Sequence, residues 1–362
     1  MATNLPSPFR QTVKAFELTG FGLERLRLVD RAIEPLGPGD VRVLWHAASL
    51  NYRDRMVVTG AYGLAEDTLP FIPVSDGAGV VVEVGARVKR LKVGDRVTNL
   101  MTRGWIAGPL TPERHALQNG GPLDGVLTES SVLDEAALAI FPDHLSFEEA
   151  ACFPVAALTA WSALSEAGLQ PGQTVLATGS GNVSLFTLQL ARLWGAKVIV
   201  SSGDPGERAD RLRELGAHAV VDYRDPDWPA QVVAANGGAG VDMVVENGGA
   251  RTLGASIEAL RQGGFLAMVG VLALTGEPAP DATLPLLLKN VRLRGMVTGS
   301  RDSYEAMHRA VALHRLRPVI DSVHPFADVR QAFSRAFDQR PFGKVVIRVG
   351  DGNDQPVRGT GA

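Results

Sequence analysis

The sequence predicts an α/β protein in two parts, a partly open β-barrel and a doubly wound parallel sheet. Three observations predict it. Over residues 13–132, short apolar runs are punctuated by turn residues at close intervals, the pattern of an all-β unit. Over residues 155–292, nearly continuous apolar strands alternate with helical stretches, as in a parallel sheet covered on both faces. Finally, a chain of 362 residues, 45% hydrophobic, is too long for one ordinary core but apolar enough to fill two.

Composition excludes several function classes. A formal net charge of −3 gives no electrostatic case for nucleic acid or an anionic membrane. The single cysteine, Cys152, excludes an internal disulfide framework and a Cys-rich metal site, so a reducing, cytoplasmic setting is expected. The stretch MATNLPSPFRQTVKAF lacks the long apolar core of a signal peptide. The uncharged run 167–191 is long enough to span a membrane, but Gly, Pro, Gln, Ser and Asn interrupt it; it reads as a soluble βα unit.

In chain order, the first dozen residues read as a loose arm. Strands follow at VKAFELTG, LRLVDRAI, DVRVLWHAASLN, GAGVVVEVG and GDRVTNL, and residues 103–125 read as a long surface loop. SFEEAACFPVAALTAWSALSEAGL reads as helical, with Ser146 as cap, Glu148 and Glu149 in the first turn and Gly168 at the end. Strands VLATG, VIVSSG, AVVDY, VDMVVENGG and GFLAMVGVL then alternate with helices. In the tail, VRLRGMVTGS is strand-like, SYEAMHRAVALHRL is an amphipathic helix and FGKVVIRVG is a strand; those strands are expected to rejoin the first domain. The expected division is 1–154, 155–295, a return segment 296–350, and a disordered tail 351–362.

The most informative stretch is TVLATGSGNVSLFTLQLARLWGA. An apolar β-branched run breaks at Gly179, Ser180, Gly181 and Asn182, and Leu185, Leu188, Leu190 and Leu193 then fall at helical spacing. Strand, glycine turn and helix form the context of a dinucleotide-binding turn, because glycines let backbone N–H groups approach a pyrophosphate at a helix N-terminus. The third glycine of the fingerprint is replaced by Ser184, which is small enough for close helix–strand packing.

The order of elements and several phrases resemble the medium-chain dehydrogenase/reductase superfamily. The phrases are LNYRD at residues 50–54, DGAGVVVEVG at 76–85, GDRV at 94–97, ALTAWSAL at 157–164, LGAHAVVDY at 215–223 and FGKVVIRV at 342–349. The resemblance covers residues 13–349. It implies a GroES-like catalytic domain with an inserted Rossmann domain, a cleft between them, and a homodimer through the Rossmann edge strand near residues 290–297. It is strongest to the zinc-free quinone-oxidoreductase-like branch, whose members often carry the label zinc-type alcohol dehydrogenase-like.

Zinc members of that superfamily hold their metal with a Cys, a His-Glu pair after a Gly, and a further Cys, donors that suit tetrahedral zinc. Here those positions read Asn51, then Val74-Ser75-Asp76, and Val155, and the four-Cys structural loop becomes the Cys-free stretch 103–125. Asp76 alone is no zinc site, so no metal is expected. Cys152 reads as a small buried hydrophobe.

NAD-preferring sites put an acidic residue about 20 residues after the glycines, at the end of the second strand. That strand ends here in Val200-Ser201-Ser202-Gly203, which leaves room for a 2′-phosphate, and Arg208 offers it a planar fork. By resemblance, Ser201 or Ser202, Arg208 and Tyr223 bind that phosphate, which favours NADPH over NADH; Asp204 is the contrary sign. Asn182 replaces a glycine of the turn and, as a residue tolerant of positive φ, is expected to preserve it while crowding or bonding the pyrophosphate. Val183 follows it on the turn. The resemblance further implies that Thr159, Asn247, Gly270, Val271, Leu272, Val297, Gly299, Ser300 and Lys344 approach the cofactor.

Hydride transfer without zinc needs another group to stabilise the developing oxyanion and a source for the proton. LNYRD offers Asn51 as hydrogen-bond donor and Tyr52 as proton donor, with Tyr52 as a packing residue the alternative; Arg53 and Asp54 read as a structural ion pair. The expected function is a zinc-independent NADPH-dependent reductase of a quinone or α,β-unsaturated carbonyl. An alcohol dehydrogenase or carbonyl reductase, and an NADPH-binding protein with little turnover, are the alternatives.

Overall fold

The computed structural model describes residues 12–32, 35–204, 206–270 and 281–350. The N-terminal arm, the tail 351–362 and the expected cofactor residues Val271 and Leu272 lie outside the described residues. The chain forms two compact units. One comprises residues 1–155, 300–309 and 320–362, and the other comprises 156–299 and 310–319.

The first unit is built on a seven-stranded sheet. Its path runs Ile320–Pro325, Lys344–Arg348, Asp40–Ser49, Asp76–Val84, Arg96–Asn99, Leu138–Ile140, and Ser130–Asp134 pairs with the central Asp40–Ser49. Asp40–Ser49 alternates inward Val41, Val43 and Trp45 with less buried positions, so one face enters the core. Trp45 Nε1 donates to Ser131 Oγ at 2.9 Å, which satisfies the indole within that core. The hairpin Thr12–Leu18 with Leu26–Ala32 joins the core through Phe16, Leu18 and Leu26. Residues 103–125 are loop except for the short helix Pro112–His115, capped by the Thr111 hydroxyl.

The second unit contains a six-stranded sheet, parallel throughout, in the order Ala219–Asp222, Lys197–Ser202, Thr174–Ala177, Val241–Glu246, Leu260–Met268, Arg292–Gly295. The order reverses between Thr174–Ala177 and Val241–Glu246, the switch point where doubly wound sheets open a crevice at their strand ends. Arg292–Gly295 corrects an expectation. VRLRG does not rejoin the first unit but extends this sheet in parallel register with Leu260–Met268 and forms its edge. FGKVVIRVG does return, pairing antiparallel with Asp40–Ser49.

The long helix expected after Ser146 is also interrupted. Ser146 caps Phe147–Ala150 in a reciprocal box with Glu149. A π-turn, Phe153–Ala157, then intervenes before the helix Leu158–Ala167, which ends at Gly168 in the left-handed region. Pro154 lies within the π-turn, and a residue without an N–H cannot continue an α-helical ladder.

At the switch point, the Glu246 carboxylate is fully buried and gathers the start of the next helix. It accepts from Gly248 N at 2.6 Å, Gly249 N at 3.0 Å and Thr252 Oγ1 at 2.7 Å, and from Ser256 Oγ. Negative charge at a helix N-terminus is favourable there. Glu246→Ala is expected to lower the unfolding free energy by about 3 kcal/mol, because it strands buried donors. Urea unfolding checks this, and an unchanged midpoint would show that the carboxylate does not anchor the helix.

Candidate cofactor and active-site residues

In the second unit the glycine turn depends on φ at a single position. Gly179 has φ 77°, and its N–H donates to Ser201 Oγ at 2.9 Å. Gly181 precedes the helix Asn182–Leu193 with no side chain capping it, which leaves first-turn N–H groups for an anion. Asn182 is the first helical residue and does not take a positive φ, so the conformational tolerance expected of it is not called upon. Val183 follows it in the first turn, half-buried.

Ser184 does more than replace a glycine. Its hydroxyl donates to the Thr178 carbonyl at 2.8 Å and accepts from Asn247 Nδ2 at 3.1 Å. Asn247 also donates from its backbone to Thr178 Oγ1 at 2.8 Å and from Nδ2 to the Thr178 carbonyl at 3.1 Å. Its side chain thus ties two strand ends to the helix. Gly270 lies so close to the Asn247 carbonyl that a Cβ would collide with it, which explains a glycine there.

At the end of the second strand, three polar side chains converge. Ser180 Oγ lies 3.4 Å from Ser202 Oγ and 3.3 Å from Arg208 Nη1. Ser201 is engaged by the glycine turn, so Ser202 is the serine of this cluster. Tyr223 places its hydroxyl against Gly203. The Asp204 carboxylate accepts from Gly206 N at 3.0 Å, at the start of the helix Glu207–Glu214.

Thr159 Oγ1 donates to the Val297 carbonyl at 3.2 Å, and Gly299 packs against Leu158 and Ser162, where a side chain would not fit. Ser300 belongs to the first unit, where its hydroxyl accepts from Ser303 N at 3.3 Å.

In the first unit, Asn51 precedes the helix Tyr52–Val58, and the Asp54 carboxylate accepts its backbone N–H at 2.8 Å. Asp54 also accepts from Ser75 N at 3.1 Å and Ser75 Oγ at 2.9 Å, and Arg53 Nη1 lies 3.7 Å away. Arg53 and Asp54 are therefore the expected ion pair. Tyr52 is 41% exposed.

Lys344, expected at the cofactor, lies beside Asn51 and Asp76. Its ammonium is enclosed within the first unit, 1% exposed, donating to Asn51 Oδ1 at 2.8 Å and the Leu50 carbonyl at 2.9 Å. Asp76 Oδ2 lies 3.6 Å from it and accepts from Val155 N at 3.3 Å. Among the described residues, Asp76 Oδ1 and Asn51 Nδ2 are buried with no hydrogen-bond partner. Burial raises the Asp76 pKa to about 6, opposed by Lys344 and by the facing Asn51 side chain, with Asp54 adding to the rise. Burial raises the Asp54 pKa too, against Arg53. Val74, immediately before this pair, holds φ 74°, a strained conformation for a β-branched residue. The Lys344–Asp76 pairing was missed from sequence; its one signal was a lysine opening the strand KVVIR ahead of three apolar residues.

Comparison with known proteins gives this arrangement its family. Residues 37–143 match the alcohol dehydrogenase GroES-like domain, and residues 183–312 match the family described as zinc-binding dehydrogenase. A zinc-type alcohol dehydrogenase-like protein of Schizosaccharomyces pombe is 36% identical over 343 residues, covering 92% of this chain and 97% of its own. A 2-methylene-furan-3-one reductase of Solanum lycopersicum is 30% identical, covering 92% of this chain and 79% of its own. The solved structure of a protein named "putative Alcohol dehydrogenase" from Sinorhizobium meliloti superposes with TM-score 0.87 at 37% identity, covering 94% of this chain and all of that one. The chain belongs to the medium-chain dehydrogenase/reductase superfamily and is an NAD(P)H-dependent oxidoreductase of that type.

The zinc in the family description does not fit these residues. Among the described residues no three His, Cys, Asp or Glu side chains gather to hold a metal. Asn51 and Asp76 instead share the Lys344 ammonium, a cation that repels another. Cys152 is buried, donates to the Glu148 carbonyl at 3.2 Å, and has its thiol pushed up to about 12 by burial.

Two buried groups of the first unit give opposite pH dependences. Asp76 titrates higher in the fold than its ordinary 3.8, so its contribution is present below 3.8 and is lost as pH rises through about 6. Burial lowers His308 from 6.5 to about 4, so its contribution is present above 6.5 and is lost as pH falls through about 4. The stability of Asp76→Asn relative to the parent is expected to rise by about 3 kcal/mol from acid to neutral pH, and that of His308→Gln to fall by about as much. Denaturant unfolding across that window tests both; parallel curves for parent and variants would contradict the account.

Proposed function

We propose that this protein is a zinc-independent, NADPH-dependent reductase that delivers hydride to a quinone or an α,β-unsaturated carbonyl compound. The observation that carries the reading is the Asn51–Lys344–Asp76 group, which offers a fixed ammonium and a desolvated amide donor where a metal donor set would stand. Such a site stabilises an oxyanion by hydrogen bonding and charge. An enone or quinone suits it better than a plain ketone, because the negative charge of the product anion is delocalised. Support also comes from relatives named 2-methylene-furan-3-one reductase and quinone oxidoreductase-like protein 2 homolog, the latter from Nematostella vectensis.

The bound dihydronicotinamide supplies the hydride. Asn51 Nδ2 donates to the substrate oxygen as it becomes an enolate or phenolate, and Tyr52, or water, returns the proton. In the other unit, the helix N-terminus at Gly181 and Asn182 receives the pyrophosphate, while Ser180, Ser202 and Arg208, with Tyr223 beside them, receive the 2′-phosphate. The turn, Asn247 and Gly270 support that site, and Thr159, Val297 and Gly299 serve the nicotinamide half. We also read the protein as a cytoplasmic homodimer. Its proposed contact is the edge strand Arg292–Gly295, exposed throughout, with Leu293 and Val297 beside it.

Fluorescence titration with NADPH and with NADH tests the cofactor reading. NADPH is expected to bind clearly tighter, and Arg208→Ala to weaken NADPH about 30-fold while leaving NADH unchanged. Tighter NADH binding by the parent would transfer the ribose role to Asp204 and sink the assignment.

A further inference from the structure

We propose that His115 is a substrate-binding residue of the first unit, whose Nε2–H donates to the second carbonyl oxygen of a quinone. The proposal rests on the reductase reading above and, of its two substrate classes, selects the quinone.

The geometry starts from a buried cation. Arg53, 9% exposed, follows Tyr52 on the helix Tyr52–Val58. Its guanidinium donates to the Asn119 carbonyl at 2.9 Å, the Gly121 carbonyl at 3.0 Å and Gln118 Oε1 at 3.1 Å, and lies over the Tyr62 ring at 4.9 Å. Tyr62 Oη donates to the same Gln118 Oε1 at 2.8 Å. A guanidinium has donors only, so the Gln118 amide faces it with its oxygen and not its nitrogen. The buried amide is thereby oriented, and its Nε2 is turned to His115 Nδ1, 3.2 Å away. An amide nitrogen donates, so Nδ1 accepts, and the proton of the ring's neutral form stands on Nε2.

The His115 side chain is exposed, so a relay that begins at a buried arginine and passes through a buried glutamine ends in one oriented N–H at the surface of the unit. The backbone beneath it is held as well. The Thr111 hydroxyl caps the helix Pro112–His115, and Arg114 Nη1 donates to the Ala107 carbonyl at 3.1 Å. Arg103 Nε donates to Asn119 Oδ1 at 2.6 Å, on the stretch that Arg53 grips. An ordinary surface histidine needs no such support. A donor whose direction is set beforehand loses little freedom on binding, which is how a recognition site is built.

The chemistry then separates the two substrate classes. A simple enone has one carbonyl oxygen; a para-quinone has two, at opposite ends of its ring. A quinone, NADPH and one proton, the proton coming from Tyr52 or water, give hydroquinone and NADP⁺. Both ring oxygens gain charge as the two electrons enter. One oxygen is engaged where hydride is delivered, and the other is stabilised by a fixed hydrogen-bond donor. His115 Nε2–H is that donor.

The test compares the parent, His115→Phe and His115→Gln for melting temperature, NADPH affinity, and kcat and KM with para-benzoquinone and with cyclohexenone. His115→Phe keeps a flat ring without a donor. It is expected to melt and bind NADPH like the parent, to raise the benzoquinone KM about 10-fold, and to leave the cyclohexenone KM unchanged. His115→Gln, which retains an N–H, should restore most of the benzoquinone affinity. Imidazole nitrogen NMR reads the same site without turnover. The parent's His115 should carry its proton on Nε2, and its signals should move with hydroquinone, which has two oxygens, and not with phenol, which has one. The proposal is overturned by a proton on Nδ1, by a His115→Phe protein with the parental benzoquinone KM, or by equal losses with both substrates. Should the parent reduce neither substrate, the reductase reading fails and the NMR titration decides the subsite alone. Movement with hydroquinone only supports it, and no movement, or equal movement with phenol, overturns it.

Discussion

A charge taken out of water needs a counter-charge or a dense set of hydrogen bonds, and the first unit is arranged around that requirement. Lys344 opens a strand that runs through the sheet, and its ammonium ends among the Leu50 carbonyl, Asn51 and Asp76. Three separate stretches of chain are held to one point: the end of the central strand, the start of the helix Tyr52–Val58, and the start of the strand Asp76–Val84. Asp54, with Arg53 beside it and Ser75 donating to it, is a second buried charge held in the same way. The cluster is thereby fixed in place, and the proposed reaction draws on that fixed charge.

The second unit meets a different constraint. Its turn leaves the first N–H groups of a helix uncapped, yet the polar groups behind the turn are satisfied. Gly179 supplies the one left-handed residue, and Ser201, Ser184, Thr178 and Asn247 close a network behind it. That network accounts for both departures from the glycine fingerprint. Ser184 gains two hydrogen bonds in place of a bare Cα, and Asn182 has only to begin a helix.

Much of this was legible from local pattern. The alternation of Val41, Val43 and Trp45, the Ser146 cap and the strand–turn–helix at Gly179 are written in spacings of two to four residues, and the structure has them. What was not legible depends on distance or competition. The resemblance gives Lys344 a place near the cofactor but not its contact with Asn51, 293 residues away in sequence. VRLRG reads both as a strand rejoining the first unit and as the edge of the parallel sheet, and its parallel register with Leu260–Met268 decides for the edge. Apolar spacing carried the helical reading through Pro154, whose missing N–H forces the π-turn. Ser201 and Ser202 were indistinguishable in sequence; the strand's alternation turns one to the glycine turn and the other to Arg208's cluster.

The central claim is that hydride transfer here needs no metal. Its most direct measurement is the rate of NADPH oxidation by an enone, using protein stripped with a chelator and verified metal-free by elemental analysis, before and after zinc is restored. The account predicts full activity in the stripped protein and no gain on adding zinc. Activity that vanishes on stripping and returns with zinc would contradict it.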